Sequence, residues 1–459
     1  MEVRGSIADA LILVLGSRTP TDARSLQRDL LMAQRHLARY SRVVIVSPGR
    51  EDVRSRIQAI DDRLDIVTNS RGLSPEAFDG FAAARVADLL RGSASALVTT
   101  NQMWSGEAAV RTAWALRAAG VRTALVARGG FCWSRFETLA EGPESVSALA
   151  ASETEARLCR AADLIATTTQ AMASDLSWKL GIPRERFRIV PSFVPSAAKP
   201  NPTVLREPAE ILCVARLVET KRVDRVIDAA AQIANTSLIE PVVRIVGEGP
   251  LRRSLEEQAT ATGTETILES NLDQQALFDR MRRCTAFVQA SEFESHPRAL
   301  LEAMACGTPI VAVAAPGASE LIAHGETGLL AEPDAAAIAG RLTALITDRE
   351  GAALLGESAA AEAERFRFAR VEQFEIECHR AALNVSGTDD TPGATPFAER
   401  VSAYVRAMPR EQAQAFLDQI NQDLASGLAS GLASDVAADM IETRPQPDPE
   451  VPVDRSVAS

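Results

Sequence analysis

SEFESHPRALLEAMACGTPIVAVA, residues 291–314, is the segment of this chain from which most of the prediction follows. An apolar run, TAFVQAS, leads into it, Pro297 can begin a helix, and RALLEAMA continues that helix to about Ala305. CGTP then ends the helix before a second apolar run, IVAVAA. The pattern predicts a strand–loop–helix–strand unit, with Glu294 in the loop and Glu302 about one and a half turns inside the helix.

The two glutamates of this unit are candidate ligands for a sugar. A carboxylate accepts hydrogen bonds from the vicinal hydroxyls of a ribose or a hexose, and the free amides at a helix start can donate to a phosphate. The alternative interpretation is an ordinary amphipathic helix with solvated glutamates. It explains Glu294 and Glu302 separately, but it does not explain the whole block together.

The same alternation of apolar strands and helical segments extends along most of the chain. We predict strands at 8–16, 42–48, 64–68, 96–101, 123–128, 162–169 and 186–193, and then at 211–217, 241–249, 265–270, 285–291, 308–315 and 327–333. Near-continuous apolar strands that alternate with helices are typical of a parallel sheet covered on both faces. The sequence therefore predicts an α/β protein with two doubly wound, Rossmann-like domains facing each other across a cleft.

Changes in composition set the predicted domain boundaries. Residues 1–194 form the first domain, and the proline-rich residues 195–208 form a linker. Residues 209–384 form the second domain with its closing helices. The tail, 385–459, contains a repeated LASG and a Pro-rich acidic end, which predict short helices followed by disorder. Because ligands of such sheets bind beyond the carboxyl ends of the strands, the active site is expected in the loops there.

Charge and cysteine usage limit the classes of partner. The net charge is −12, but residues 1–200 hold 26 Lys and Arg against 21 Asp and Glu, a net of +5 that leaves −17 for the rest. The basic half suits an anionic acceptor or an anionic membrane surface, with ordinary solvated surface as the alternative. The acidic total argues against nucleic acid. Six scattered cysteines without a CxxC, and no apolar run of spanning length, predict a reduced, cytoplasmic chain without a zinc site.

Two cations follow the first strand of the second domain, in ARLVETKRVDRVIDA. Arg216 and Lys221 lie between a strand end and a helix start, where free amides and the helix dipole favour a phosphate. Lys221 is one of only three lysines in a chain that otherwise uses arginine. The alternative is a pair of surface cations near a turn. Small-residue loops around Gly249 and Gly317 follow two further strands, where they allow close backbone approach to a ligand or simply a tight turn.

Taken together, these motifs resemble the retaining glycosyltransferases of family 4, which have the GT-B fold. The family shows a strand followed by G-R-L-x-x-x-K-G, here Ala215 to Arg222, and a V-G-x-G-P element, here VGEGP. It also shows E-x7-E followed by A-M-A-C-G-x-P-V-V, here Glu294, Glu302 and AMACGTPIV. The match in order and spacing covers about residues 186–345.

The resemblance implies a role for each matching residue. Arg216 and Lys221 would bind the donor diphosphate and stabilise the departing nucleotide, while Glu294 would contact the hexose and Glu302 the ribose. Five further residues would face the nucleotide-diphosphate sugar: Gly249, Ser291, Arg298, Ala299 and Gly317. The family needs no metal or other cofactor, and its members build surface polysaccharides, glycolipids and glycoconjugates.

The resemblance is weaker in the first domain. The acceptor loop is reduced to Gly16 and Ser17, and Arg128 stands where many members have a histidine. In the donor motif two family glycines are Ala215 and Arg222, which is tolerable if the backbone there has negative φ. A catalytically impaired nucleotide-sugar-binding or scaffold protein and a GT-B epimerase remain as alternatives. A peripheral contact of the first domain with the inner face of a membrane is a further expectation.

Overall fold

A computed structural model describes residues 6–15, 33–49, 61–270 and 272–386, together with the single positions 400 and 405. The predicted tail from residue 387 onward otherwise lies outside the described residues, as do the predicted acceptor-loop residues Gly16 and Ser17.

Two parallel sheets form the body of the molecule, and each predicted strand is present. The first sheet has the order β3-β2-β1-β4-β5-β6-β7 and the second has the order β10-β9-β8-β11-β12-β13. The strands are β1 Ala8–Val14, β2 Tyr40–Ser47, β3 Leu64–Thr68, β4 Ser95–Thr100, β5 Arg122–Gly129, β6 Leu164–Thr167, β7 Phe187–Ile189, β8 Glu210–Val214, β9 Val242–Val246, β10 Thr266–Glu269, β11 Ala286–Gln289, β12 Ile310–Val313 and β13 Leu329–Ala331. All pairs are parallel, which confirms the predicted doubly wound class.

Helices cover both faces of each sheet. Those whose bounds lie wholly within the described residues are α1 Pro75–Leu89, α2 Gly106–Ala118, α3 Trp133–Glu141, α4 Val146–Ala161, α5 Gln170–Leu180, α6 Val223–Thr236, α7 Arg252–Thr262, α8 Gln274–Arg283, α9 Arg298–Ala305, α10 Pro316–Ser319, α11 Ala335–Thr347, α12 Arg349–Ala363 and α13 Phe368–Ser386. Side-chain N-caps begin several of them, as at Ser74 and Asp334, where the side-chain oxygen accepts the third backbone N–H of the helix. Strand side chains such as Val44, Val98 and Ile211 are fully buried between these layers.

The last helix differs from the prediction that it closes the second domain. The buried residues of α13, among them Cys378 and Leu383, belong to a hydrophobic cluster of the first sheet. The Tyr40 hydroxyl lies 2.7 Å from His379 Nδ1, and Arg122 Nη2 donates to the Leu383 carbonyl at 2.5 Å. The chain therefore returns to the first domain after it has completed the second.

Arginine side chains hold the linker between the domains against its neighbours. Arg282 donates to the Ala197 and Lys199 carbonyls, and Arg367 donates to the Pro195 and Ala198 carbonyls. A prolyl nitrogen carries no N–H, so this segment cannot pair as a strand, and the guanidinium groups satisfy its carbonyl oxygens instead. The linker is thereby fixed on both sides.

The described part of the chain contains no helix that is both long and apolar enough to cross a membrane. All six cysteines are buried and none forms a disulfide.

Candidate functional site

The candidate donor site lies where the order of the second sheet reverses. Strands β8 and β11 are hydrogen-bonded neighbours, but the chain leaves β8 towards β9 on one side and β11 towards β12 on the other. The loops that follow β8 and β11 therefore diverge and leave a crevice at the carboxyl edge, where ligands of such sheets bind. Arg216 and Lys221 come from the first loop, and Glu294 comes from the second.

Arg216 is exposed at this crevice. Its guanidinium carbon lies 5.4 Å from the centre of the Phe136 ring, which belongs to α3 of the first domain. Within the described residues Arg216 forms no ion pair with a carboxylate. A fixed cation without a counter-ion at the switch point is suited to an anionic ligand such as a diphosphate.

Lys221 and Glu294 are brought together across 73 residues of sequence. The Lys221 ammonium contacts Glu294 Oε1, and only 16% and 13% of the two side chains are exposed. Gln289 Nε2 donates to Glu294 Oε1 at 2.9 Å and to Ser291 Oγ at 2.9 Å. The carboxylate is thus held from both sides. Ser291 is fully buried, which differs from its predicted place facing the donor, and its hydroxyl accepts a hydrogen bond from Gln289.

Glu302 lies on α9, as predicted, with its side chain mostly buried. Burial raises the pKa of the Glu302 carboxyl, and the nearby Arg298 offsets only part of that effect. Arg298 Nη2 is 3.6 Å from Glu302 Oε1 and its own side chain is 57% exposed. Arg298 and Ala299 are the first two residues of α9, so their amides belong to the free N–H groups of the helix start.

Two glycines hold the loops after β8 and β9 in contact. A Cβ on Gly249 would stand 2.3 Å from the Leu217 carbonyl oxygen, and a Cβ on Gly247 would stand 1.9 Å from that of Ala215. The Leu217 N–H donates to the Glu248 carbonyl at 2.8 Å, and the Leu251 N–H donates back to Leu217 at 3.1 Å. The glycines are therefore required by close backbone packing, which fixes the loop that carries Arg216.

Gly317 is also required by close packing, and here the structure differs from the prediction that Gly317 faces the donor. The Gly317 N–H donates to the Glu294 carbonyl at 3.1 Å. A Cβ on Gly317 would stand 1.9 Å from the Ser295 carbonyl oxygen. The amide is thus used inside the protein, where it ties α10 to the loop of Glu294.

The backbone at Arg222 does not have the negative φ on which its replacement of a family glycine was expected to depend. Its φ is +48°, in the left-handed region that favours glycine. The side chain is held by Asp224, with Arg222 Nη2 at 2.7 Å from Oδ2 and Nε at 3.1 Å from Oδ1. This bidentate pair offsets part of the backbone strain, which costs about 1–2 kcal/mol. Ala215 keeps a negative φ and needs no such compensation.

Arg128, the predicted acceptor-side residue, lies at the end of β5 with its side chain 32% exposed. Its backbone is fixed by Thr100, whose hydroxyl accepts the Arg128 N–H at 2.8 Å and donates to its carbonyl at 2.7 Å. Arg128 Nη1 is 4.0 Å from Glu375 Oε1 on α13. Burial would raise the pKa of the Glu375 carboxyl, but Arg128, His36 and His379 outweigh it and lower that pKa.

The aromatic residues after β5 pack against Trp104, which follows β4, and against the helices α3 and α4. The Trp104 ring is 5.6 Å from Phe131 and 6.3 Å from Trp133, in edge-on geometry. Trp133 Nε1 donates to Glu137 at 2.8 Å, and the Trp133 N–H donates to the buried Glu155 at 2.5 Å. These contacts favour a fixed loop at the edge of the cleft.

Two residues of this region were not predicted from the sequence. Gln289 is a polar residue at the end of an apolar strand, and that contrast was the available signal for it. Glu320, which follows α10, accepts hydrogen bonds from the first domain, and no sequence pattern indicated so distant a contact. In the described ranges, no group of three or more His, Cys, Asp or Glu residues is placed to hold a metal ion.

Comparison with known families places both halves of the chain. The model described as "Glycosyl transferases group 1" matches residues 197–362, and the model described as "Glycosyl transferase 4-like domain" matches residues 22–192. Between them, the two matches include every strand except β1, and they include all the candidate donor residues.

Curated relatives are similar over part of their length. An exopolysaccharide phosphotransferase of Streptomyces coelicolor is 30% identical over 209 residues, 45% of this chain and 22% of the relative. A D-inositol 3-phosphate glycosyltransferase of Acidothermus cellulolyticus is 30% identical over 252 residues, 50% of this chain and 55% of the relative. The chain therefore spans from about a fifth to about half of the length of these two relatives.

A solved structure matches the whole arrangement of the two domains. The crystal structure of Anabaena Alr3699/HepE in complex with UDP and glucose aligns with a TM-score of 0.63 at 20% identity, covering 80% of this chain and 98% of that chain. At this identity the match shows the fold, which is the two-domain GT-B arrangement.

Proposed function

Because the chain belongs to the group 1 glycosyltransferases of the family 4 type, we propose that it moves a hexose from a nucleoside-diphosphate sugar to an acceptor hydroxyl, with retention of configuration at the anomeric carbon. The observation that carries this proposal is the arrangement of the loops at the switch point of the second sheet: they carry the Lys221–Glu294 pair and the exposed Arg216, which forms no ion pair within the described residues. A site with two cations and a sugar-binding carboxylate has the chemistry that a diphosphate sugar requires.

The charges suggest how the donor is accommodated. The diphosphate binds Arg216 and draws the Lys221 ammonium away from Glu294, so that the carboxylate becomes free to accept hydrogen bonds from the sugar. Glu302 accepts hydrogen bonds from the ribose, and the amides of Arg298 and Ala299 face the donor. As the bond from C1 to the diphosphate breaks, the electron pair leaves with the nucleoside diphosphate, and the two cations stabilise its charge. The acceptor oxygen forms the new bond to C1 on the same face, and the proton of the acceptor hydroxyl passes to the leaving phosphate oxygen. The proposal includes no metal ion.

A panel of nucleotide sugars tests the proposal, with UDP-glucose first because the Anabaena structure holds UDP and glucose. We would follow the release of nucleoside diphosphate, with and without EDTA, for the wild type, Lys221→Ala and Glu294→Ala. Lys199→Ala, an exposed lysine in the linker, is the matched control. We expect release by the wild type and the control, a loss of about a hundredfold or more in the two site variants, and a product with the donor's anomeric configuration.

Two outcomes of the panel decide against the proposal. If no nucleotide sugar binds, the proposed function is wrong. If nucleotide sugars bind but none is turned over, the nucleotide-sugar-binding alternative replaces it. Release that Lys221→Ala and Glu294→Ala leave unchanged overturns the roles of these two residues.

On the acceptor side we propose a glycan or glycolipid. The half-buried Arg128 beside the glycines of the β5 loop would bind an anionic group of the acceptor, and Gly16 and Ser17 are the further residues proposed to contact it. A relative named for an exopolysaccharide supports a role in surface polysaccharide or glycoconjugate synthesis. Arg128→Ala should raise the KM for the acceptor and leave the KM for the donor unchanged.

We also propose that the first domain touches a membrane surface from the cytoplasmic side. Its net charge of +5 over residues 1–200 suits anionic lipids. The apolar side chains of Leu139, Val146 and Leu149 at the junction of α3 and α4 are 51%, 85% and 53% exposed. Cosedimentation with phosphatidylglycerol vesicles should fall when Val146 and Leu149 are changed to Ser, and binding equal to that of the wild type would contradict this contact.

A further inference from the structure

One carboxylate of the second domain is bonded to the backbone of the first. Glu320 Oε2 accepts the Gln170 N–H at 2.9 Å, and Glu320 Oε1 accepts the Ala171 N–H at 2.6 Å. These are the first two residues of α5, whose next N–H, that of Met172, is capped by Thr169 Oγ1 at 3.2 Å. The first N–H groups of a helix have no partner within it and carry partial positive charge, so a carboxylate there is favourable.

The backbone next to Glu320 is also fixed to the loop that carries Glu294. Glu320 follows α10 directly, and the Glu320 N–H donates to the Pro316 carbonyl at 3.3 Å. Within α10, the Gly317 N–H donates to the Glu294 carbonyl, and there is no room between Gly317 and Ser295 even for a Cβ. Glu320 is therefore joined to the loop of Glu294 through closely packed backbone.

Two aromatic contacts join the domains at the same loops. Arg135 of α3 lies over the Phe293 ring at 4.9 Å, next in sequence to Glu294. Arg216 lies over the Phe136 ring at 5.4 Å, next in sequence to Arg135. The contacts are reciprocal, because each domain supplies one guanidinium and one ring. Unlike these two arginine–ring contacts, the contacts of Glu320 are hydrogen bonds to backbone N–H groups. We therefore expect the Glu320 contacts to be the most directional of the three.

We propose that Glu320 is a positioning residue that fixes the first domain against the donor-sugar loop through its two hydrogen bonds to α5. The inference rests on the proposed function, because that function identifies the two parts that Glu320 positions. They are the acceptor side of the cleft and the hexose held by Glu294. The donor's own contacts lie within the second domain. Loss of Glu320 therefore lowers the rate of transfer and leaves donor affinity unchanged.

The test compares Glu320→Ala and Glu320→Gln with Glu326→Ala, a control in which an exposed glutamate of the following loop is removed. Hydrogen exchange measures protection of the Gln170 and Ala171 amides, calorimetry gives the Kd for UDP, and UDP release from UDP-glucose gives kcat and KM. We expect Glu320→Ala to expose both amides and to lower kcat about tenfold or more, with the UDP Kd and the KM for the donor within about twofold. Glu320→Gln keeps one acceptor oxygen, so its kcat should lie between those of Glu320→Ala and the wild type.

The proposal is overturned if the amides stay protected in Glu320→Ala, or if kcat falls equally in Glu326→Ala. It is also overturned if Glu320→Ala weakens UDP binding as much as it slows turnover, because the residue would then serve the donor site itself. If the wild type releases no nucleotide from any sugar, the proposed function fails. The exchange experiment still decides whether Glu320 joins the domains.

Discussion

Lys221 and Glu294 satisfy each other's charge in the crevice, and this pairing explains why both can lie in a largely buried place. A buried ion without a partner is strongly unfavourable, whereas each member of this pair is neutralised and Gln289 provides a further hydrogen bond. The pair is already placed where an incoming diphosphate can exchange one ionic partner for another. Arg216 differs from this pair, because its side chain is exposed to solvent and needs no carboxylate to neutralise its charge.

At the residue scale we predict that nucleotide affinity falls on acidification because of Glu302. Burial raises the pKa of this carboxyl, so it takes up a proton at a higher pH than an exposed glutamate would. The protonated group has lost the charge with which it accepts bonds from the ribose. Titrations of UDP against pH should show the wild-type affinity decreasing as the pH falls through this raised value.

Glu302→Gln removes the titrating group and keeps its shape. The variant should bind UDP about tenfold more weakly near neutral pH, as expected for a lost hydrogen bond to a charged group. Its affinity should lose the acid-side dependence. If the variant keeps the pH profile of the wild type, the dependence belongs to another group and the role of Glu302 is wrong.

Among the elements, the contact between the loops after β8 and β9 sets the position of Arg216. We predict that Gly249→Ala destabilises the protein by about 2 kcal/mol or more, because its Cβ would collide with the Leu217 carbonyl and the loops must separate. Nucleotide binding should weaken with it. Urea unfolding and UDP titration measure the two effects.

Gly340→Ala is the matched control for this prediction. Gly340 lies within α11, and a Cβ there meets nothing within 4 Å. Alanine is the better helix former, so this change should be neutral or stabilise the protein by about 1 kcal/mol at most. Equal stability of the two variants would show that the loops after β8 and β9 can separate without cost.

The docking of α13 on the first sheet predicts acid sensitivity. Burial lowers the pKa of His379 to about 4, below the ordinary value of 6.5. The folded state therefore resists protonation that the unfolded chain accepts, so this contribution to stability is present above pH 6.5 and is lost as the pH falls towards 4. Between neutral pH and about pH 5, the contribution of His379 to the free energy of unfolding falls by about 2 kcal/mol.

His379→Gln keeps a polar partner for the Tyr40 hydroxyl and cannot be protonated in this range. The free energy of unfolding of this variant, measured in urea at neutral and acid pH, should fall by about 2 kcal/mol less than that of the wild type. His296 in the second domain has a pKa lowered to about 4 by burial and stays in both proteins, so some acid sensitivity remains. An unchanged pH dependence in the variant would contradict the assignment to His379.

For the molecule as a whole, local patterns predicted the strands, the two sheets and the donor loops. Apolar runs and strand ends depend on residues that are close together in the sequence. Lys221 and Glu294 meet because β8 and β11 are neighbours in the second sheet. The return of α13 to the first domain depends on packing between distant segments, and its sequence resembles that of any closing helix. The positive φ of Arg222 and the contact of Glu320 with α5 depend in the same way on partners far along the chain.

The proposed donor site is tested most directly by calorimetric titration of UDP, ADP and GDP into the wild type, Arg216→Ala and Arg253→Ala. Arg253 is the control: its side chain is 89% exposed on α7 and pairs with Glu257 of the same helix. We predict that at least one of these nucleotides binds the wild type and the control equally, and that Arg216→Ala weakens its Kd about 10–100-fold through loss of a cation–phosphate contact. Binding to Arg216→Ala with the affinity of the wild type, or no binding of any of the three, would contradict a donor site at the junction of β8 and β11.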